Sequence, residues 1–157
     1  MATIDVVIPV LNEERALPQC VEQLGKVLKV SLPEHQSKIV IADNGSTDAT
    51  LEVCKDLTNR FPNRVSYVHL DQRGRGRALR KAWLERNADV VSYMDVDLST
   101  RLQAFPHMIN GIVHDGVHVA FGSRLAPGAN ITRSLKREVV SRTYNGIIRT
   151  IMRTSFK

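Results

Sequence analysis

The sequence predicts an α/β fold: a mostly parallel sheet flanked by helices on both faces, built as a single domain. Three observations predict it. Apolar, β-branched runs of five to eight residues alternate with longer stretches of helical periodicity. The runs are nearly continuous rather than alternating apolar with polar, as strands buried on both faces have to be. And 157 residues leave room for one substantial core, not comfortably for two.

Taken in order, Thr3 to Val10 (TIDVVIPV) is a buried strand ended by Pro9. Asn12 then reads as the cap of a helix from about Glu13 to Val30, with acids in its first turn where the helix dipole favours them. Lys38 to Ala42 is a second strand, and Asp43 to Asp48 a turn and cap cluster opening a helix to about Arg60. Pro62 and Asn63 break that helix. Val65 to Leu70 forms a third strand, Gly74 to Asn87 a third helix after a glycine-rich turn, and Asp89 to Met94 a fourth strand. A helix near Leu102 to Val113, capped by Ser99 or Thr100, leads to a strand at Val117 to Phe121 and a helical tail from about Ser134. Trp83 and Met94 read as core.

Composition narrows the function. Hydrophobic residues make up 43%, enough for a globular fold and too many for disorder. Met1 to Asp5 carries no basic leader, and no apolar run approaches the roughly 20 residues of a membrane span. Cys20 and Cys54 lack metal-ligand spacing and read as buried free thiols in a reducing cytosol. His69, His107, His114 and His118 show no metal-ligand arrangement with one another. The net charge of +6 belongs to the tail: residues 1–132 hold fifteen basic and fifteen acidic residues, residues 133–157 seven basic and one acidic. The expected organisation is therefore a core over 1–132 and a basic amphipathic tail over 133–157. Such a block suits anionic lipid or phosphates. Nucleic acid is the weaker partner, because aromatics are only 5% and no binding module is visible.

In a parallel sheet, ligands bind beyond the carboxyl ends of the strands, and four polar clusters stand there. Pro9-Val10-Leu11-Asn12-Glu13-Glu14 is a helix cap or the lining of a nucleoside pocket. Asp43-Asn44-Gly45-Ser46-Thr47-Asp48 is a capped turn with Gly45 left-handed, or a place where an acid meets a ribose or base edge. Arg73-Gly74-Arg75-Gly76-Arg77 is a solvated turn or a helix start offering N–H groups and guanidiniums to a diphosphate; it lacks the Walker A ending. In Tyr93-Met94-Asp95-Val96-Asp97-Leu98-Ser99, Asp95 and Asp97 stand two apart on an extended segment and face one way. Two like charges there are costly unless solvated in a turn or relieved by a hard divalent cation, Mg²⁺ or Mn²⁺, which also takes phosphate oxygens. Arg124, after the last strand, either reaches phosphate or is a surface residue.

In this order, IPVLNEE, ADNGSTDAT, the Gly-Arg-Gly-Arg-Ala-Leu loop, YMDVDLST and FGSR resemble family 2 glycosyltransferases, most nearly the dolichyl-phosphate (polyprenyl-phosphate) mannose and glucose synthases. The resemblance covers nearly the whole chain. It implies a GT-A (Rossmann-like) fold and inverting, metal-dependent transfer of a hexose from a nucleotide sugar, of the GDP-mannose or UDP-glucose type, to a polyprenyl phosphate at the cytoplasmic face of a membrane. By the same resemblance Pro9, Asn12, Glu13 and Asp43 border the nucleoside, and Ser46, Gly74, Gly76 and Arg77 also bind donor. Asp95 lies near sugar and diphosphate, Asp97 is the principal metal ligand, and Ser99 adds a polar contact. Arg124, with Arg133 or Arg137, meets donor or acceptor phosphates.

The tail agrees: Val139, Val140, Tyr144, Ile147, Ile148, Ile151 and Met152 recur at helical spacing among arginines, as on a helix at a membrane surface or one packed on the sheet. The resembling synthases continue past Ser155-Phe156-Lys157 with an acidic and Cys-Gly-Phe-Lys-like segment and often membrane helices, so a truncated member that binds donor but turns over poorly is expected. Two alternatives stand beside this reading: a family 2 transferase with a soluble or polysaccharide acceptor, and a non-catalytic nucleotide-binding or membrane-association module. A nucleotidyltransferase is disfavoured, since the glycine-rich loop does not follow the first strand. Sugar, base, choice of Mg²⁺ or Mn²⁺ and oligomeric state are not written in the residues.

Overall fold

A computed structural model describes residues 1–98 and 102–122, and in the tail 143, 144, 146–148, 150 and 151. The chain divides into two compact units, Met1–Gly122 and Ser123–Lys157. The first carries β1 (Thr3–Val10), α1 (Leu17–Ser31), β2 (Gln36–Asp43), α2 (Thr50–Arg60), β3 (Val65–His69), α3 (Arg75–Leu84) and β4 (Val90–Tyr93). A short 3₁₀ turn (Leu102–Ala104) and α4 (Phe105–Val113) follow. The strands form one sheet in the order β3-β2-β1-β4, all parallel.

That order dictates where the helices lie. The chain steps from β1 to β2 to β3 in one direction, then crosses back over the sheet to β4. Right-handed crossovers put the helices of the two directions on opposite faces. The side chains follow suit. Ile4, Val6, Ile8 and Val10 of β1 and Ile39 and Ile41 of β2 pack with Leu17, Leu24, Cys54, Leu57 and Ile109 of α1, α2 and α4. The intervening Val7, Val40 and Ala42 pack on the other face against Ala78, Leu79 and Ala82 of α3. Both faces of β1 and β2 are apolar because both are covered. Met94 is buried and Trp83 packs partly buried on α3's face, as expected.

Two sequence expectations are corrected. Asn12 does not cap α1. It takes a left-handed φ of 57°, which asparagine tolerates better than most residues. The helix starts five residues later at Leu17, with Pro18 in its first turn, where a fixed φ and a missing N–H do no harm. Glu13 and Glu14 thus precede the helix rather than fill its first turn. The second correction is Val117 to Phe121, which pairs with no strand among the described residues. Val117, Val119 and Phe121 are 42%, 75% and 66% exposed: alternating β-branched composition is a preference that becomes a strand only through pairing and burial against a neighbour. The expected caps of α4, Ser99 and Thr100, lie outside the described residues. In the tail, the described residues are helical, with Thr150 Oγ1 donating to the Gly146 carbonyl at 2.9 Å.

Cys20 and Cys54 are free and buried. Burial pushes both thiols up to about 12, helped at Cys20 by the Asp97 and Glu13 charges and at Cys54 by Asp43. A thiol whose folded pKa lies above its unfolded value of 9.0 stabilises the fold fully below that pH. The contribution is lost as pH rises from about 9 toward 12. We expect both thiols to resist alkylation at pH 8 until the chain is unfolded, and the denaturation midpoint to fall above pH 9. Fast alkylation of the native chain at pH 8 contradicts the packing described.

Candidate functional site

The parallel register sets the frame of the site. Val10 of β1 stands opposite Asp43 of β2, and Asp43 opposite His69 of β3, so the last residues of three neighbouring strands form one row. Asp43 in the middle of that row is fully buried. Its Oδ1 accepts hydrogen bonds from the Ser46 hydroxyl (2.5 Å) and backbone N–H (3.2 Å), and its Oδ2 accepts from His69 Nδ1 at 2.6 Å. His69 Nε2 in turn lies 3.3 Å from Asp71. The turn that lets Ser46 fold back is left-handed at Gly45 (φ 72°), where a Cβ would come 3.1 Å from the Asp71 carbonyl oxygen and 3.3 Å from that of Leu70. Glycine is required there on both counts.

The row ties the clusters together. The Asn12 N–H donates to Ser46 Oγ (3.0 Å), and Asn12 Oδ1 accepts from the Thr47 N–H at 2.8 Å. Glu13 N–H donates to Thr50 Oγ1 (2.8 Å), and Glu14 Oε2 accepts the Ala49 N–H at 3.0 Å just before α2. The Thr50 hydroxyl is the chief group holding the Asp48 carboxyl below the usual carboxylate range. Asn44, beside Asp43, accepts the Gly74 N–H on its Oδ1 at 2.5 Å, fastening the glycine-rich loop to the end of β2.

From that loop Arg75 reaches across to pair with Asp95 beyond β4, and its guanidinium lies 5.6 Å from the Tyr93 ring centroid. Asp95 and Asp97 are exposed, in a turn closed by the Leu98 N–H on the Asp95 carbonyl at 3.2 Å. Leu98 has φ 49°. It and Asn12 are the non-glycine residues with positive φ among those described, and both border this site; such conformations collect at functional sites.

The structure thus gathers Pro9, Asn12, Glu13, Asp43, Ser46, Gly74, Gly76, Asp95 and Asp97 around the carboxyl end of the sheet. Arg77 is there too, but its guanidinium donates to Gln72 Oε1 at 2.9 Å; it is Arg75 that meets Asp95. Gly76 sits in the first turn of α3, where a Cβ would meet nothing within 4 Å. Ser99, Arg124, Arg133 and Arg137 lie outside the described residues. Sequence reasoning missed His69 and the fastening role of Asn44. The only signal for His69 is its place near the end of the expected strand Val65 to Leu70. By contrast, a cavity of about 600 Å³ opens at the far end of the sheet, among Thr3, Asp5, His35, Lys38 and Arg86. None of the four strand-ending clusters lines it.

A buried row at the carboxyl end, beside the point where the chain reverses across β1, is the ligand position of open parallel sheets. Comparison with solved structures agrees on the fold. The mannosyltransferase PcManGT from Pyrobaculum calidifontis, solved with GDP-Man and Mn²⁺, superposes with a TM-score of 0.58 at 18% identity over 70% of this chain and 32% of that one. Glucosyl-3-phosphoglycerate synthase from Mycobacterium tuberculosis, solved with Mn²⁺, UDP and phosphoglyceric acid, gives 0.52 at 22% identity over 72% and 39%. The fold is that of the GT-A glycosyltransferases.

Within that class the family is specific: residues 5–155 match the model of glycosyl transferase family 2, and the chain belongs to it. It is similar to glycosyltransferase AglD of Haloferax volcanii, 31% identical over 98% of this chain and 25% of that protein. It is also similar to the dolichol-phosphate mannosyltransferase of Pyrococcus furiosus, 29% identical over 82% and 35%. The chain therefore spans between a quarter and about a third of the length of these relatives.

Burial decides which contacts of the site hold the structure. His69 and Ser46 serve a carboxylate with no exposure, and removing a partner of such a group costs about 1–3 kcal/mol. Arg75 and Asp95 are each about half exposed, and pairs of that kind contribute under about 1 kcal/mol. We expect His69→Ala to lower the urea-unfolding free energy more than Arg75→Ala. The reverse order contradicts the assignment of Asp43 as the buried anchor.

Proposed function

We propose that this chain forms the donor-binding part of a glycosyltransferase that moves a hexose from a nucleotide sugar to a polyprenyl phosphate, inverting the anomeric centre. The observation that carries this reading is the hydrogen-bonded convergence of the four strand-ending clusters, with Asp43 buried at one side and the Asp95–Asp97 turn at the other.

Across this span the roles divide by chemistry. Asp43 and Asn12 border the nucleoside with Pro9, Glu13 and Ser46. The first turn of α3 offers the backbone N–H groups of Arg75 and Gly76 and the positive end of its dipole to the diphosphate, the Arg77 N–H being taken up by the Gly74 carbonyl at 2.8 Å. Gly76 leaves the approach open: no neighbour demands a glycine there, although glycine within a helix costs roughly 1 kcal/mol relative to alanine.

The exposed oxygens of Asp95 and Asp97 are hard donors, a set that suits Mg²⁺ or Mn²⁺; Asp97 would be the principal ligand, with Asp95 and Ser99 beside it. A bound divalent ion supplies positive charge against the departing diphosphate. Arg75, already paired with Asp95, fixes that carboxylate's orientation and brings a second positive charge to the same place. A lipid monophosphate is ionised near pH 7, so its oxygen attacks without a general base, and positioning with charge neutralisation carries most of the rate. Arg124, with Arg133 or Arg137, is assigned to phosphate.

The lipid acceptor is supported by the named relatives: the dolichol-phosphate mannosyltransferase above, an undecaprenyl-phosphate 4-deoxy-4-formamido-L-arabinose transferase of Proteus mirabilis at 29% identity, and a dolichyl-phosphate β-glucosyltransferase of Trichomonas vaginalis at 29%. In the tail, Tyr144, Ile147 and Ile151 are exposed at i, i+3, i+7 spacing, an apolar stripe suited to lying on a membrane surface. No helix among the described residues is long and apolar enough to cross a membrane.

The test offers the chain UDP- and GDP-hexoses with polyprenyl phosphate in detergent, against soluble sugar acceptors. We expect hexosyl transfer to the lipid, reduced by at least about a hundredfold in Asp97→Asn. Transfer to sugars with none to the lipid replaces the acceptor assigned here, and unchanged transfer by Asp97→Asn removes the metal role from that residue.

A further inference from the structure

At the opposite end of the sheet, the turn between α1 and β2 brings Glu34 and His35 against His114, the residue that closes α4. One ligating atom from each lies within 4.8 Å of the other two, and the two imidazole rings stand 6.0 Å apart, tilted by 33°. Among the described residues this is the group of three that could enclose an ion. It is separated from Asp43 by the length of β2, roughly 23 Å at about 3.3 Å per residue.

Three features point to a cation. The His35 side chain is 2% exposed, and its Nε2 lies 3.3 Å from Glu34 Oε1 yet makes no hydrogen bond to any described group. A buried nitrogen left unpartnered is costly unless something fills its place. His114 sits at the carboxyl end of α4, where the helix dipole attracts positive charge. Asn110, one turn back on the same side of α4, holds a buried side-chain oxygen that is also unpartnered, an acceptor for a water on such an ion.

We propose that Glu34, His35 and His114 form a zinc-type site, distinct from the donor site and independent of the function proposed for it. Two imidazoles and one carboxylate are the donor set Zn²⁺ prefers over Mg²⁺ or Ca²⁺, with the fourth tetrahedral position left to water. With bonds of about 2.0–2.1 Å, ligand atoms in a tetrahedron stand roughly 3.4 Å apart. Glu34 and His35 already have that spacing. His114 closes the remainder, at most about 1.4 Å, by rotating an exposed side chain. Binding through Nε2 places the ring proton of His35 on Nδ1 and gives up the 3.3 Å contact there from the Ala2 N–H, a long bond next to the exposed chain start. The ion clamps the entry of β2 to the end of α4.

The chain, free of any histidine tag, is titrated with Co²⁺ and then Zn²⁺. We expect one equivalent of Co²⁺ to develop the visible bands of a four-coordinate ion, Zn²⁺ to displace it, and Zn²⁺ to raise the melting temperature. His114→Gln, at an exposed position, weakens this binding on the order of a hundredfold without unfolding the chain, as circular dichroism would show; Asp97→Asn leaves it intact. Absence of the bands, or binding that survives His114→Gln, overturns the site, and so does binding lost in Asp97→Asn, because the ion would then be at the acid pair.

Discussion

Everything at the carboxyl end of this sheet depends on the burial of one carboxylate. Asp43 has no exposure, and such a group is tolerable only when its oxygens are occupied by donors. Parallel register supplies His69 from the neighbouring strand, and a left-handed glycine supplies Ser46 from the following turn. Ser46 then holds the Asn12 amide with its own oxygen, so the loop after β1 is positioned by the same group that neutralises the buried acid. Asn44 extends the arrangement to the start of α3, and Arg75 extends it to Asp95. Three loops far apart in sequence are thus fixed relative to one another by short polar contacts radiating from one strand end.

The same logic explains why so much of the fold was legible. Strands buried on both faces are apolar at nearly every position, so β1 and β2 declare themselves in TIDVVIPV and KIVIA, with Asp5 the buried exception, paired with Arg86, and the polar clusters after them read as strand ends. What pairs with what was less legible. Asn12 reads as a cap because asparagine caps helices, yet the same side chain also tolerates positive φ, and only the proximity of Thr47 decides between the two. Val117 to Phe121 has strand composition, but a strand is a property of two segments, and composition reports on one.

In the site, residue types were readable and partners were not. Asp43, Asp95 and Asp97 stood out as acids after apolar runs. His69 did not, since its significance comes from a register across two strands. Arg75 and Arg77 were indistinguishable in a loop carrying three arginines, and the direction in which each side chain leaves the first turn of α3 separates them. Glu34, His35 and His114 were invisible for the same reason, their proximity arising from the packing of α4 beside the entry to β2.

Central to the proposed function is that the buried Asp43 and the exposed acid pair, at opposite sides of the site, act on one ligand. Calorimetric titration with UDP, UDP-glucose, GDP and GDP-mannose, with and without Mn²⁺, tests it most directly. We expect binding to one nucleotide family that requires the metal and is lost in Asp97→Asn and in Asp43→Asn alike. A folded chain that binds none of the four, or binds one equally well without metal, would contradict it.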